Sequence, residues 1–219
     1  DSTKIAASID TLAFVRLNSD SIPSIDGPFG SYDNLPRLVA ERIGASPSHA
    51  ILSVVGGQSP QQLVNEMCNR IASGETSVAL LTGSEAIGTM KAALRAGIKL
   101  AWNDKAEGQL DDRGVGPSLV EPYELAGGMG YPPQVYGAFE HAWRGKQGFT
   151  VDQHMAHMAR LFAPFTQIAA NNPYAQFPEA RSEEFLSTKS KANYPVADPY
   201  LKWHVAQDAV NQGAALLLT

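Results

Sequence analysis

The residues best suited to hold a reacting group lie in one glycine turn, Gly56-Gly57-Gln58-Ser59, just before a helix predicted over residues 61–73. Two glycines ahead of a helix leave backbone N–H groups that have no partner within the helix. Such groups can bind an anion or stabilise negative charge that develops on a carbonyl oxygen. We therefore take Gly56, Gly57, Gln58 and Ser59 as the candidate ligand-binding residues, and no metal is expected there.

The turn joins a predicted strand to a predicted helix. The helix has one apolar stripe at helical spacing, formed by Leu63, Val64, Met67, Cys68, Ile71 and Ala72. Ser59 and Gln62 have the spacing of a capping box, and Gly74 is suited to end the helix. Apolar runs at residues 50–55 and 77–83 predict buried strands, so the order strand, turn, helix, strand is a βαβ unit.

Three stretches carry a resemblance to a known family. GGQSPQQLVNEMCNRIASGETSVALLTGSEA resembles the nucleophile helix and following strand of the thiolase superfamily, in particular lipid-transfer-protein-type thiolases and thiolase-like acetyl-CoA acetyltransferases of bacteria. YGAFEHAWRGKQGFTVDQHMAHMARLFAPFTQIAANNPYAQF resembles the family's loop domain. NQGAALLLT resembles the strand that closes the N-terminal half, with Gln212 where Asp is usual.

The resemblance implies an α/β fold, the N-terminal half of a thiolase with a layered βαβαβ sheet and a helical loop domain over the active-site cleft. We expect the α/β core at residues 1–101, the loop domain at 102–203, and a last strand at 204–219 that returns to the core. Within the loop domain, Thr150 and Gln153 predict a capped helix to Ala170. Its expected core positions are Met155, Met158, Leu161, Phe162, Phe165 and Ile168.

The family's sheet has the strand order 3-2-1-4-5. The chain begins at a segment that resembles strand 2, Ile9–Leu17, so the central strand has no counterpart in the sequence. We therefore expect upstream residues in the natural protein, and a gap between this strand and Val78–Leu81. The strand at 49–55, which pairs with the dimer mate in the family, is apolar and lacks proline. An unprotected edge of this kind predicts a homodimer or a partner subunit along it.

The resemblance places the family's nucleophilic Cys at Gly57. Thiolase chemistry needs a thiolate that carries the acyl group between two steps, and glycine has no side chain to do this. The single cysteine, Cys68, lies on the apolar stripe and is predicted to be a small buried hydrophobe. The resemblance thus implies acyl-CoA as substrate or ligand and no other cofactor, and it assigns no catalytic residue.

Three functions follow from these observations. The first is a thiolase-like acyltransferase-family protein of lipid, fatty-acid or steroid metabolism, which binds an acyl-CoA thioester at the Gly56-Gly57 turn without an acyl-cysteine. The second is an aldolase-type lyase that cleaves a β-hydroxyacyl-CoA. The third is a non-catalytic scaffold subunit, which would have no affinity for CoA.

Other polar residues have a simpler interpretation. His154 and His157 are three residues apart, but no third ligand with metal-site spacing accompanies them, so both are predicted on a helix surface. Glu140 and His141 lie where the family contacts pantetheine, although a solvated helix face explains them as well. Val135 stands where many thiolases have a histidine.

The segment after the second strand of the βαβ unit also contains charged candidates. Ser84 is expected to cap a helix over residues 85–96, and Glu85 is expected to be buried and hydrogen-bonded. Lys91, Arg95 and Lys99 follow at about helical spacing and could meet a CoA phosphate, but a solvated face is the default.

Composition excludes several functional classes. The 219 residues are 44% apolar and 18% charged, with a formal net charge of −5 and no block of Lys or Arg, which argues against nucleic acid as the principal partner. The apolar runs are too short for a membrane span. One cysteine fits a reducing compartment, so we expect a cytoplasmic protein.

Overall fold

The computed structural model describes residues 2–21, 27–117 and 120–219. The chain divides into two compact units: Asp1–Pro117 together with Asp208–Thr219, and Ser118–Gln207. We call them the α/β unit and the helical unit. The domain boundaries expected from the family, after residues 101 and 203, stay predictions.

The α/β unit contains five strands and four helices among its described residues. In chain order they are α1 (Ser2–Ser8), β1 (Thr11–Phe14), α2 (Leu35–Ile43), β2 (His49–Leu52), α3 (Ser59–Ala72), β3 (Ala79–Ala86), α4 (Ile87–Ala96), β4 (Asp111–Asp112) and β7 (Asn211–Leu218). The strands form one mostly parallel sheet in the order β4-β2-β1-β3-β7, in which β7 alone is antiparallel to its neighbour. The expected α/β class, with a βαβ unit around α3, is confirmed.

The expected gap in the sheet is wrong. Strand β1 is the central strand and pairs in parallel with β3, from Thr11 opposite Ala79 to Phe14 opposite Thr82. The pairing continues beyond both ends, since the Val15 N–H donates to the Thr82 carbonyl at 2.9 Å. Because the facing N–H and C=O groups bond to each other directly, no strand is needed between them.

The unprotected edge expected at residues 49–55 is also wrong. Strand β2 pairs with β1 on one side and with β4 on the other, where Ile51 lies opposite Asp111. Backbone bonds extend this cover, because the Arg113 N–H donates to the Leu52 carbonyl at 3.1 Å and the Val55 N–H to the Val115 carbonyl at 3.3 Å. Ile51 is accordingly buried.

Alternate residues of the sheet pack against helices on its two faces. On one face, Leu63 and Met67 of α3 are fully buried against Ala13, Ile51 and Leu81. On the other face, Ala40 of α2 packs with Ile9 and Leu12. Each large side chain buried in this way contributes about 1.5–3 kcal/mol, so the two opposed cores hold the strand ends in place.

The helical unit contains α5 (Pro122–Ala126), α6 (Pro132–Gln147), α7 (Val151–Ala170), α8 (Glu183–Ser187) and the hairpin of β5 (Pro195–Ala197) and β6 (Tyr200–Leu201). The bounds of α7 and its Thr150–Gln153 capping box are confirmed. Its predicted core face is wrong at three of six positions, while Met155 and Phe162 are half-buried. Met158 is buried, but Leu161, Phe165 and Ile168 are exposed. The small residues Ala159 and Ala163 face α8 instead, where they pack against Leu186.

No helix among the described residues is both long and apolar enough to cross a lipid bilayer.

Candidate functional site

The glycine turn leads directly into α3. Gly56 has a φ of +148°, a backbone conformation that residues with a side chain rarely adopt, so glycine is strongly favoured at this position. The Ser59 N–H donates to the Gly56 carbonyl at 3.1 Å and closes the turn. Gln58 is the N-cap of the helix, with φ −80° and ψ −21°, and its side chain makes no capping bond.

The expected role of Ser59 as N-cap is wrong. Ser59 is the first helical residue, and it is 1% exposed. Its hydroxyl points back toward the sheet and donates to the Val54 carbonyl at 2.8 Å. The end of the helix is as predicted, because Gly74 has a φ of +77° and its N–H donates to the Ile71 carbonyl at 3.0 Å.

The backbone N–H groups of Gly57 and Gln58 are free within the part of the chain that the structure describes, since neither donates a hydrogen bond there. Both residues are exposed, and a side chain at Gly57 would meet no atom within 4 Å. The site expected for the family's nucleophile is therefore open to solvent. It offers two donors at the positive end of a 14-residue helix, which together favour a negative or partially negative oxygen.

A cavity of about 760 Å³ lies beside this turn, and we call it the α3 cavity. Its apolar wall includes Val15, Pro60, Val64, Leu81 and Leu216. Leu81 and Leu216 are paired across β3 and β7, on the sheet face that carries α3. Gly56, Gly57, Gln58 and Ser59 do not line it, but Pro60 directly follows them.

The single cysteine does not take part in the packing of α3. The prediction that Cys68 is buried is wrong, because Cys68 is exposed. The preceding residue, Met67, is fully buried. The part of α3 that packs against the sheet is therefore narrower than its stripe of apolar residues predicted. The chain thus has a thiol accessible to reagents on the outer side of α3.

Residues 84–96, which follow the βαβ unit, do not form the single capped helix that was predicted for them. Ser84 does not cap a helix, because β3 continues through Ser84 and Glu85 to pair with β7, and α4 begins at Ile87. Glu85 is half-buried and accepts a hydrogen bond from the Asn18 N–H. Lys91 forms an ion pair with Asp208, with Nζ 2.6 Å from Oδ2.

Arg95 and Lys99, the other two members of the expected basic face, are exposed. The Arg95 Nε donates to the backbone carbonyl of Lys91 at 3.1 Å, so this guanidinium folds back along its own helix.

Two of the four histidines of the helical unit, His154 and His204, are buried, whereas His141 and His157 are partly exposed. His154 is fully buried, and its Nε2 is 3.1 Å from Oε1 of Glu140, although the two groups are not aligned for a hydrogen bond. The other oxygen of Glu140 accepts from the Tyr200 hydroxyl at 2.8 Å. The surface position expected for His154 is therefore wrong.

Burial is the main electrostatic influence on this network. It lowers the pKa of His154, and the carboxylate of Glu140 opposes that effect. The pKa of Tyr200 is raised, by burial first and then by its hydrogen bond to Glu140. No group of three metal-ligating side chains occurs among the described residues.

His141 and His157 complete the group of candidate histidines. His141 Nε2 lies 2.6 Å from Oδ2 of Asp198, and the ring of His157 lies 5.2 Å from that of Trp143 at a tilt of 35°. The sequence held no signal for the contact of His141 with Asp198, because it joins α6 to a segment 57 positions away.

Comparison with known proteins finds similarity among solved structures. No family model matches the chain, and no curated protein matches it. The crystal structure of a monomeric SCP2-thiolase like protein type 1 from Mycobacterium smegmatis is 37% identical and superposes with a TM-score of 0.70. The match covers 99% of this chain and 37% of that one, so this chain spans just over a third of that protein's length. The fold is therefore thiolase-like.

Proposed function

We propose that this thiolase-like chain binds an acyl-CoA thioester at the start of α3, with the thioester oxygen accepting hydrogen bonds from Gly57 and Gln58. The observation that carries the proposal is a pair of backbone N–H groups, in two exposed residues at the positive end of this helix, that have no hydrogen-bond partner among the described residues. A thioester oxygen is a good acceptor for such a pair, because it gains negative charge when the carbonyl is polarised.

The α3 cavity supports the same proposal, because it offers a place for the acyl chain of the ligand. Its wall beside Pro60 is apolar, formed in part by Val15, Val64 and Leu81, and its volume of about 760 Å³ suits a small-molecule site. An acyl chain attached to a thioester at the turn would enter this cavity and be removed from water.

The chemistry proposed at this turn is binding and polarisation without an acyl-cysteine. Gly57 stands where the family's resemblance expects sulfur, and the side-chain position there is empty space. A covalent acyl-enzyme would require a nucleophile at that point. The proposal includes a cytoplasmic role in lipid, fatty-acid or steroid metabolism, as the family resemblance implies.

The expected dimer is independent of acyl-CoA binding. A homodimer along residues 49–55 stays a prediction, and the covered edge of β2 removes the structural reason that first suggested it.

The experiment that tests this function is calorimetric titration of the full chain with two matched ligands. Acetyl-CoA and its thioether analogue S-ethyl-CoA differ only in the carbonyl oxygen that the two amides are proposed to bind. Because each neutral hydrogen bond is worth about 0.5–1.5 kcal/mol, we expect acetyl-CoA to bind about 5- to 100-fold more tightly. Equal affinities would remove the proposed role of the amides, and no binding of either ligand would favour the scaffold alternative.

A further inference from the structure

A second cavity, of about 720 Å³, lies in the α/β unit; it shares Arg16, Ser84 and Glu85 with the lining of the α3 cavity and includes no residue of the glycine turn. It is bounded by α2, by α4 and by Phe14, the last residue of β1. Phe14 alternates with Ala13, which faces α3, so this cavity lies on the opposite face of the sheet. We call it the α2 cavity. It opens at the carboxyl end of β1, where ligands of open α/β sheets commonly bind.

The α2 cavity has one apolar wall, while polar and charged residues, among them Glu85, line the rest. Phe29 and Trp102 meet edge to face in its wall, with ring centroids 5.7 Å apart, and Leu38 and Met90 add aliphatic surface. The backbone holds the aromatic pair in place, because the Trp102 N–H donates to the Phe29 carbonyl at 3.1 Å. A cavity of this size and composition suits an apolar body of small-molecule size.

Three cationic side chains reach the wall, and they differ in how firmly they are held. Arg16 is 9% exposed and is fixed by the Ser53 carbonyl, at 2.9 Å from its Nε, and by Asp112. Arg42 is 65% exposed and pairs with Asp104. Arg16 is already held by two partners, and Arg42 is largely exposed to solvent, so neither is well suited to bind a new anion in the cavity.

Lys91 is the cation that can exchange its partner. Its side chain is 38% exposed, and its carboxylate partner Asp208, also in the cavity wall, is 73% exposed. An exposed pair of this kind contributes little net stability, so its replacement by another carboxylate costs little. A ligand carboxylate that also buries an apolar chain would displace Asp208 from Lys91.

We propose that the α2 cavity binds an amphipathic monocarboxylate, with its carboxylate on Lys91 in place of Asp208 and its apolar chain against Trp102 and Phe29. The inference goes beyond the thioester site, because it uses the other face of the sheet and none of the residues of the glycine turn. Failure of either proposal leaves the other intact.

The position of the ligand can be tested by fluorine NMR on the full chain labelled with 5-fluorotryptophan and titrated with dodecanoate. The chain has three tryptophans, and of these Trp102 lies in the cavity wall. Trp143 and Trp203 belong to the helical unit and report whether that unit stays folded. Single substitutions by Phe assign the resonances. We expect the Trp102 resonance to move while the other two stay unchanged. A fixed Trp102 resonance, or equal movement of all three, would overturn the assignment.

The head-group contact is tested by three variants in the same titration. Lys91→Met should weaken dodecanoate binding about two- to fivefold, the value of a partly exposed ion pair, and should leave dodecanol binding unchanged. Lys99→Met, an exposed site after the same helix, is the matched control and should have no effect. Asp208→Asn should tighten dodecanoate binding, because it removes the competing carboxylate. Equal losses in Lys91→Met and Lys99→Met, or no gain in Asp208→Asn, would contradict the proposal.

Discussion

Ser59 Oγ lies 2.8 Å from the carbonyl oxygen of Val54 and donates a hydrogen bond to it. This bond joins the first residue of α3 to the segment that leaves β2. Together with the bond from the Ser59 N–H to the Gly56 carbonyl, it closes the intervening turn, in which the N–H groups of Gly57 and Gln58 have no hydrogen-bond partner among the described residues.

The first prediction concerns this bond. Ser59→Ala removes a buried hydroxyl, but the Val54 carbonyl keeps a second donor, the Ser53 hydroxyl at 2.8 Å. The loss in free energy of unfolding should therefore be only about 1 kcal/mol. Urea unfolding measures it, with Ser73→Ala at the exposed end of the same helix as a control that should change stability by less than about 0.5 kcal/mol. Equal effects of the two substitutions would contradict this account of the turn.

The second prediction concerns the link between α3 and the edge of the sheet. Arg113 Nη1 and Nη2 lie 2.6 and 2.7 Å from the two carboxylate oxygens of Glu66, and both side chains are about one-quarter exposed. This bidentate bond lowers the pKa of Glu66. Replacing Arg113 by Met should lower the free energy of unfolding by about 1–3 kcal/mol. Glu75→Gln, at a carboxylate that is 64% exposed, is the control and should be nearly neutral. A neutral Arg113→Met would show that the pair does not hold β4 in place.

The third prediction concerns the acid stability of the helical unit. His154 and His204 are buried, and burial lowers the pKa of both. In the unfolded chain they take up protons near their ordinary value of 6.5, while in the folded unit they stay neutral to lower pH. The unfolded state therefore binds more protons, and stability that is complete above about pH 6.5 should fall as the pH drops below that value.

Fluorescence of Trp143, whose ring centroid is 5.6 Å from that of His154, can follow this transition. The other groups that act on His154 are Glu140, which raises its pKa, and His157, Arg144 and His141, which lower it. His154→Gln should reduce the slope of stability against pH between about 6.5 and 5, whereas His49→Gln, at an exposed site in β2, should not. A slope unchanged by His154→Gln would exclude this residue as the source.

The fourth prediction concerns covalent chemistry. Because Gly57 offers no nucleophile, the intact mass of the chain should be unchanged after incubation with acetoacetyl-CoA. Gly57→Cys should fold, since a side chain there meets no atom within 4 Å, but it should not catalyse thiolysis. The family resemblance implies that thiolysis also needs acid and base groups from the C-terminal half of the family's fold, to which none of the three matching stretches corresponds.

The exposed thiol of Cys68 makes Cys68→Ser the necessary control for this mass measurement. An acetyl adduct that forms on the unmodified chain and survives in Cys68→Ser would reveal a nucleophile that we have not identified. Turnover by Gly57→Cys alone would show that the chain already contains the acid and base groups.

Helix ends could be predicted from the sequence where a single residue type is strongly preferred at that position. The end of α3 at Gly74 and the capping box at Thr150 depend on contacts within a few residues of sequence, and both were predicted. The side of α7 that packs against α8 was not predicted, because that helix has apolar residues on more than one side. The small residues Ala159 and Ala163 allow close approach to α8, and this leaves the larger Phe165 exposed.

Long-range features could not be derived from the sequence in the same way. The direct pairing of β1 with β3 depends on which strands meet, and apolar runs alone do not specify the partner. The network of Glu140, His154 and Tyr200 joins two helices and a hairpin, with 60 residues between Glu140 and Tyr200. The glycine turn was found because its donors and its helix are adjacent in sequence. The α2 cavity was missed because its walls come from six separate segments.

The most direct measurement of the central claim compares two substitutions at Gln58. Gln58→Pro removes the backbone N–H proposed to bind the thioester oxygen, and the observed φ of −80° is compatible with proline after a glycine. Gln58→Ala removes the same side chain but keeps the N–H. In calorimetric titrations, Gln58→Pro should weaken acetyl-CoA binding by about three- to tenfold relative to Gln58→Ala and leave S-ethyl-CoA binding unchanged. Equal affinities of the two variants for acetyl-CoA would contradict the claim that this amide binds the ligand.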